Sequence, residues 1–330
     1  MMRAMAATST TAPVATRSAG IDLLRVAGIT AVVIGHVRSD DVTRAAVYTW
    51  HVPVFFLLTG YLWKPGRPLR VEWQRRWPTL GVPYLTWLLL LIAMLLAADA
   101  VTGRVASGTF ADAIYGGSAA MRPFSAFWFV SVLFLLAVAY RLLERLPVAV
   151  AWGIALVGLV VAYVSPEAVT AGPLGVFLVP ACLVFVLAGR LLRQVRPRLS
   201  AGSGVLLLVL GAALVVSGLS TPLDMKAGDF GRPGLGVLTA VLISAGLILL
   251  AEALDGRLRQ RASAVIGALS ACGIAVVLSH AAVLWVLGTP AQGGLFDFAA
   301  ALLLPWGFAL LALRTPFAPY LAGAPRMRRR

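Results

Sequence analysis

Charge is the scarcest feature of this sequence. Only 12% of its 330 residues are charged and only 13 are acidic, against about 25% charged in a soluble globular domain. That scarcity excludes a soluble enzyme and a disordered chain. Cysteine is nearly absent as well. Its two residues, Cys182 and Cys272, stand 90 positions apart within apolar runs, which gives neither a disulfide framework nor a metal spacing. No metal is expected. What the chain does have is apolar surface: 60% of it is hydrophobic, with a mean hydropathy of +0.90. A net charge of +15 suits nucleic acid in a soluble protein. Here the arginines stand in short clusters between long apolar runs, as integral membrane proteins mark their cytoplasmic side. The expected partner is the lipid bilayer, and no nucleic acid.

A helix needs about 20 mostly apolar residues to cross the hydrocarbon core. Ten stretches meet that expectation: 20–37, 45–63, 78–98, 124–140, 147–164, 173–189, 202–219, 235–254, 264–287 and 296–313. Turn and charge signals such as Lys64-Pro-Gly, Arg122-Pro and Arg196-Pro separate them. With the N-terminus inside, 21 of the 28 basic residues fall on the inner side and 6 on the outer. That asymmetry places both termini in the cytoplasm. The expected fold is all-α, a polytopic integral membrane protein of about ten transmembrane helices, N-in and C-in, in the cytoplasmic (inner) cell membrane. Residues 1–19 are expected as a disordered cytoplasmic tail, 20–313 as the transmembrane domain and 314–330 as a basic cytoplasmic tail. The outer loops are short, so the chemistry belongs within the bundle.

Ionisable residues inside spans are expensive and by default face the bundle interior. The first span holds Asp22, Arg25 and His36. Arg25 and His36, eleven residues apart, lie on one helix face about 16 Å apart along the axis. Asp22, three residues before Arg25, is close enough to pair with it and lessen the cost of burial. Asp22 also suits the positive end of a helix, and Arg25 is long enough to reach the inner surface. The three histidines, His36, His51 and His280, all fall in the outer half of the expected bundle. A lone helical histidine is more often structural than catalytic. Three at one level, with His36 in register with a buried arginine, single out His36.

On the inner side, 64-KPGRPLRVEWQRRWP-78 places five basic residues with interfacial tryptophans and one glutamate before the third span. A positive-inside loop accounts for this composition, and so does a cradle for a phosphorylated cofactor, since arginine binds phosphate bidentately. The residues alone leave both readings open.

Taken in order, these segments resemble the acyltransferase 3 family of membrane O-acyltransferases. Arg25 and His36 match its first-helix Arg-x10-His signature, inside the Asp-x-x-Arg lead at Asp22. The segment 51-HVPVFFLLTGYLW-63 is similar to its second-helix His-x-Pro-x-Phe-Phe-x-x-Ser-Gly pattern, with Thr59 in the serine place. The segment 75-RRWPTLGVPYLTW-87 resembles its third-helix basic cluster followed by Pro-Tyr-x-x-Trp. Further on, 127-FWFVSVLF-134 and 267-GALSACGIAVVLSH-280 resemble two later stretches. The resemblance implies a stand-alone transmembrane unit, nearest the sugar O-acetylase-like subgroup. Such a unit transfers an acyl group, commonly acetyl, from cytoplasmic acyl-CoA to a hydroxyl of a glycan or glycoside. It implies His36, Arg25 and Asp22 as catalytic residues, with His36 either a base or an acyl carrier. Arg75, Arg76 and Trp128 are implied for acyl-CoA, a cosubstrate and not a resident cofactor, while His51, Ser270 and His280 complete the site.

Two rivals come from other classes. Buried Arg and His also mark proton-coupled secondary transporters, but the chain shows no paired halves with matching broken spans. A glycan polymerase or flippase is the other alternative, although resemblance to those families implies larger outer loops than this chain has.

Overall fold

The computed structural model describes residues 18–103, 105–106 and 108–327. The expected N-terminal tail lies outside the described residues up to position 17; Ser18 already caps the first helix, its hydroxyl accepting from the Ile21 amide. Among the described residues there are helices and no β-strands.

The first half contains α1 (Ala19–Val37), α2 (Asp41–Thr43), a π-helical turn at Arg44–Tyr48, and α3 (Pro53–Tyr61). Next come α4 (Leu69–Arg76), joined through a second π-turn at Trp77–Gly81 to α5 (Val82–Thr102), then α6 (Thr109–Tyr115) and α7 (Phe127–Leu143). The second half contains α8 (Val148–Val164), α9 (Pro166–Thr170), α10 (Val179–Val195), α11 (Ala201–Val216) and α12 (Leu235–Ala253). It ends with α13 (Gln260–Ala271), α14 (Gly273–Val286), α15 (Leu295–Ala312) and α16 (Ala318–Ala322).

Five helical stretches are long and apolar enough to cross a membrane: Ala19–Val37, Leu69–Thr102, Pro173–Arg198, Leu235–Ala253 and Leu295–Ala312. The pair α13 and α14, bent by 59°, adds a sixth if it is one span, and α7, α8 and α11 are shorter apolar helices. Large apolar side chains stand exposed on the outside of the bundle, among them Leu89, Leu96, Val157, Val160, Leu206 and Leu303. Exposed apolar surface on that scale marks contact with a non-aqueous partner, here lipid.

Residues 45–63 depart from the expectation of one continuous helix. Pro53 has no N–H to donate and starts a new helix, so the chain turns through 49–52 between the π-turn and α3. α3 is only nine residues long, about 13 Å, and is buried against α10 and α12. Its crossing with α10 depends on two glycines. A Cβ on Gly60 would stand 1.9 Å from the Val186 carbonyl oxygen, and one on Gly189 2.0 Å from that of Leu57. Small residues at such crossings let backbones touch in a bilayer, where packing rather than water drives association.

The segment 264–287 is likewise broken, at Cys272. Breaks in a membrane helix are tolerated where the freed backbone groups find other partners, and here Trp306 Nε1 of α15 donates to the Leu269 carbonyl at 3.2 Å. The bend sets the direction of α14, which carries His280. Part of the segment expected as a basic tail folds back: α16 packs on α5, where Trp87 Nε1 donates to the Leu321 carbonyl at 2.9 Å.

Candidate active site

His36 stands one residue before the end of α1, and Ser125 lies in the turn leading into α7. Together they line a cavity of about 160 Å³ whose other polar walls are Tyr48, His51, Asp224 and Lys226. Ser125 Oγ and His36 Nδ1 are 3.2 Å apart. Arg122 fixes the turn, donating to the His36 carbonyl at 2.5 Å and to the Thr289 carbonyl at 2.7 Å. Tyr48 in turn donates to the Gly35 carbonyl at 3.1 Å.

The other two histidines are more constrained. A carbonyl only accepts, so His280 Nδ1 carries a proton and donates to Val276 at 2.9 Å, leaving Nε2 as the other ring nitrogen. That Nε2 has no hydrogen-bond partner among the described residues, and the ring stands edge-on to His36 with centroids 4.8 Å apart. His51 Nδ1 donates to the Val47 carbonyl at 2.7 Å, and its ring meets Tyr48 edge-on.

Two residues of the 220–234 connection put charge at the cavity. Lys226 Nζ donates to the Ala120 carbonyl at 2.6 Å. Burial lowers its pKa to about 8, with Asp224 pulling the other way. Asp224 accepts from Arg44 at 3.4 Å, and the Arg44 guanidinium covers the Tyr48 ring.

The opposite end of the bundle holds two further ionisable clusters. On the first turn of α1, Asp22 Oδ1 accepts from Arg25 at 2.8 Å and from Ser270 Oγ at 2.9 Å. At the end of α7, Arg141 is buried to 1% exposure between carboxylates. It donates to Glu72 at 2.8 Å and to Glu144, and lies 4.0 Å over the Trp63 ring. Arg76 donates to the other oxygen of Glu72 at 2.6 Å. Next to this network opens a cavity of about 650 Å³ lined by Arg67, Arg145 and Arg190, with Tyr140, Trp152 and Glu144. Three guanidiniums beside two aromatic rings form a surface suited to phosphates and a base.

The structure thus separates the expected site residues into groups. His36, His51, His280 and Trp128 gather at one end; Trp128, expected with the acyl-CoA set, lines the His36 cavity. Asp22, Arg25 and Ser270 form their own cluster, one face and three turns from His36. Arg75 is exposed, and Arg76 is committed to Glu72. Sequence reasoning missed Ser125, Arg122, Tyr48, Asp224 and Lys226; of the arginines of the larger cavity, Arg145 and Arg190 counted only as an orientation signal, while Arg67 lies in the 64–78 segment also read as a phosphate cradle. A usable signal existed for Lys226, one of only two lysines in the chain. Among the described residues no group of three or more His, Cys, Asp or Glu is placed to hold a metal ion.

Residues 18–322 match the family model described as an acyltransferase domain, that of the acyltransferase 3 family. No curated protein and no solved structure matches the chain.

Proposed function

The chain belongs to the acyltransferase 3 family, and on that premise we propose that this multi-pass membrane acyltransferase moves an acetyl group from cytoplasmic acetyl-CoA to a hydroxyl of a glycan or glycoside, in the manner of the sugar O-acetylases. The observation that supports this reading is His36, partly exposed on the wall of a cavity with a hydroxyl on one ring nitrogen. A sugar hydroxyl becomes a useful nucleophile when a base takes its proton, and imidazole suits that task near neutral pH. Lys226 places a cation on the same wall, where negative charge develops on the attacked carbonyl oxygen.

The donor binds at the other end. Arg67, Arg145 and Arg190 hold the phosphates of CoA, with Tyr140 and Trp152 beside them. Arg76 acts through the wall, holding Glu72 and with it Arg141 and Glu144. Arg25, paired with Asp22 on the face that leads to His36, guides the thioester end. The chain crosses the inner membrane ten times with both termini in the cytoplasm, so that donor and acceptor enter from opposite sides.

Purified protein in detergent, given acetyl-CoA and a mixture of oligosaccharides, releases CoA thiol and yields acetylated sugar detected by mass spectrometry. No thiol release with any acyl-CoA and no change in the surface glycans of a deletion strain would overturn the reading.

A further inference from the structure

We infer that the acyl group is carried between donor and acceptor as an ester on Ser125, with His36 as the base that serves both halves of the reaction. The inference rests on the acyl-CoA-dependent transfer proposed above. Its first ground is the pairing itself: a hydroxyl within 3.2 Å of an imidazole nitrogen is the arrangement that activates a serine nucleophile.

The second ground is contrast. Several hydroxyls elsewhere in the bundle are spent on their own helices: Thr30 donates to Val26, Thr59 to Phe55, Thr86 to Val82 and Ser279 to Ala275, each four residues back. Ser125 does not follow them. Among the described residues it is the one hydroxyl paired with an imidazole, and although only 7% exposed it faces a cavity.

The third ground is how the pair is held and what surrounds it. Arg122 clamps the serine-bearing turn to the His36 carbonyl, so the two side chains are held together by a second bond besides their own contact. α7 begins two residues after Ser125 with no side-chain cap. Ala126, Trp128 and Phe129, at the start of that helix, line the same cavity, and a helix N-terminus favours the negative charge of an oxyanion formed there.

Distance gives the relay its purpose. The two cavities are lined by opposite ends of α7, by Ala126 at one and Leu143 at the other, about 25 Å apart. An enzyme-bound ester lets the donor leave before the acceptor arrives.

In the first half, His36 Nδ1 takes the Ser125 proton as Oγ attacks the thioester carbonyl. The Oγ–C bond forms, the C–S bond breaks, and the proton passes from the imidazolium to the departing sulfur to give CoA thiol. In the second half, the acceptor hydroxyl gives its proton to His36 and attacks the ester. Its new C–O bond replaces the Oγ–C bond, and Ser125 recovers the proton.

The test uses full-length protein in detergent with isotopically labelled acetyl-CoA and no acceptor. Rapid quenching and peptide mass spectrometry should find the label on Ser125, with about one thiol released per chain, and added oligosaccharide should discharge it. Ser125→Ala, checked for an unchanged melting profile, should form no adduct and lose at least about 100-fold in transfer. Ser125→Cys should accumulate the label as a thioester. Label on His36, or wild-type turnover with no adduct on Ser125, or Ser125→Ala transferring within tenfold of wild type, overturns the relay and leaves the acetyl transfer standing. A wild-type protein that neither releases thiol nor acetylates any sugar overturns both.

Discussion

Arg122 donates to the backbone carbonyl of His36 at 2.5 Å, so the turn that carries Ser125 is fastened to the helix that carries the imidazole. The same guanidinium reaches Thr289 at 2.7 Å, bringing in the segment that follows α14. Losing a clamp of this kind displaces reacting groups without removing one. Arg122→Ala should lower kcat about 10- to 100-fold, the cost of an ångström-scale misplacement, with the KM for acyl-CoA unchanged. Arg122→Lys, able to hold one carbonyl but not both, should fall between. Steady-state kinetics that show a raised KM instead would place Arg122 in the donor site.

His36 is the residue on which the chemistry turns. His36→Ala should remove about 10²–10⁴-fold of the transfer rate while leaving expression and membrane insertion intact. His51→Ala should cost less, because His51 is 6% exposed and already ties one nitrogen to Val47. Retention of more than about a tenth of the activity in His36→Ala, an effect under about 1.4 kcal/mol, would make His36 structural.

The donor cavity separates two sets of arginines by kinetics. Replacing Arg67, Arg145 and Arg190 singly with Ala should raise the KM for acyl-CoA with little change in kcat, the mark of uniform binding lost. Arg75→Ala should change neither, since Arg75 is exposed and outside the cavity lining. A KM effect confined to Arg75 and Arg76 would move the phosphates to the end of α4.

Arg141 tests stability rather than turnover. Its guanidinium is buried between Glu72 and Glu144, and Trp63 Nε1 donates to the second Glu144 oxygen at 2.6 Å. Removing one partner from a buried pair leaves an uncompensated charge and costs about 3–5 kcal/mol. Arg141→Ala should therefore lower the melting temperature in detergent sharply. Arg141→Ala with Glu144→Gln should recover part of the loss, since Glu72 keeps Arg76 as its partner, and thermal unfolding followed by fluorescence would measure it.

Much of this architecture was legible because apolar runs and their breaks are local features. The Asp22–Arg25 pair follows from a three-residue helical spacing, and the structure records it at 2.8 Å. The break at Cys272 was not legible. No proline marks it, and the partner that satisfies the freed carbonyl, Trp306, lies 37 residues from Leu269. Ser125 was hidden for the same reason: its contact with His36 spans 89 residues and comes from a turn, where periodicity says nothing about direction. Arg67, Arg145 and Arg190 come from three separate basic clusters. Only the convergence of α7, α8 and α10 with the turn before α4 shows that they share a cavity.

Lys226 gives the cavity a pH signature whose direction can be worked out. Its ammonium is charged below about pH 8 and neutral above, because burial outweighs the nearby Asp224 carboxylate. The groups that share the cavity with it are His36, Tyr48, His51 and Asp224, the last paired with Arg44. A cation there stabilises the oxyanion of both half-reactions, so kcat should fall as pH rises through about 8. Loss of fold does not mimic this limb. The folded value lies below the 10.5 of an ordinary lysine, so between the two the unfolded chain binds more protons, and this residue's contribution to stability grows with pH. Lys226→Arg keeps its charge throughout and should move the alkaline limb to higher pH. Lys226→Met should show a lower kcat with that limb gone. Identical alkaline limbs in wild type and Lys226→Arg would assign the titration to another group and leave Lys226 as a tether for the Ala120 carbonyl.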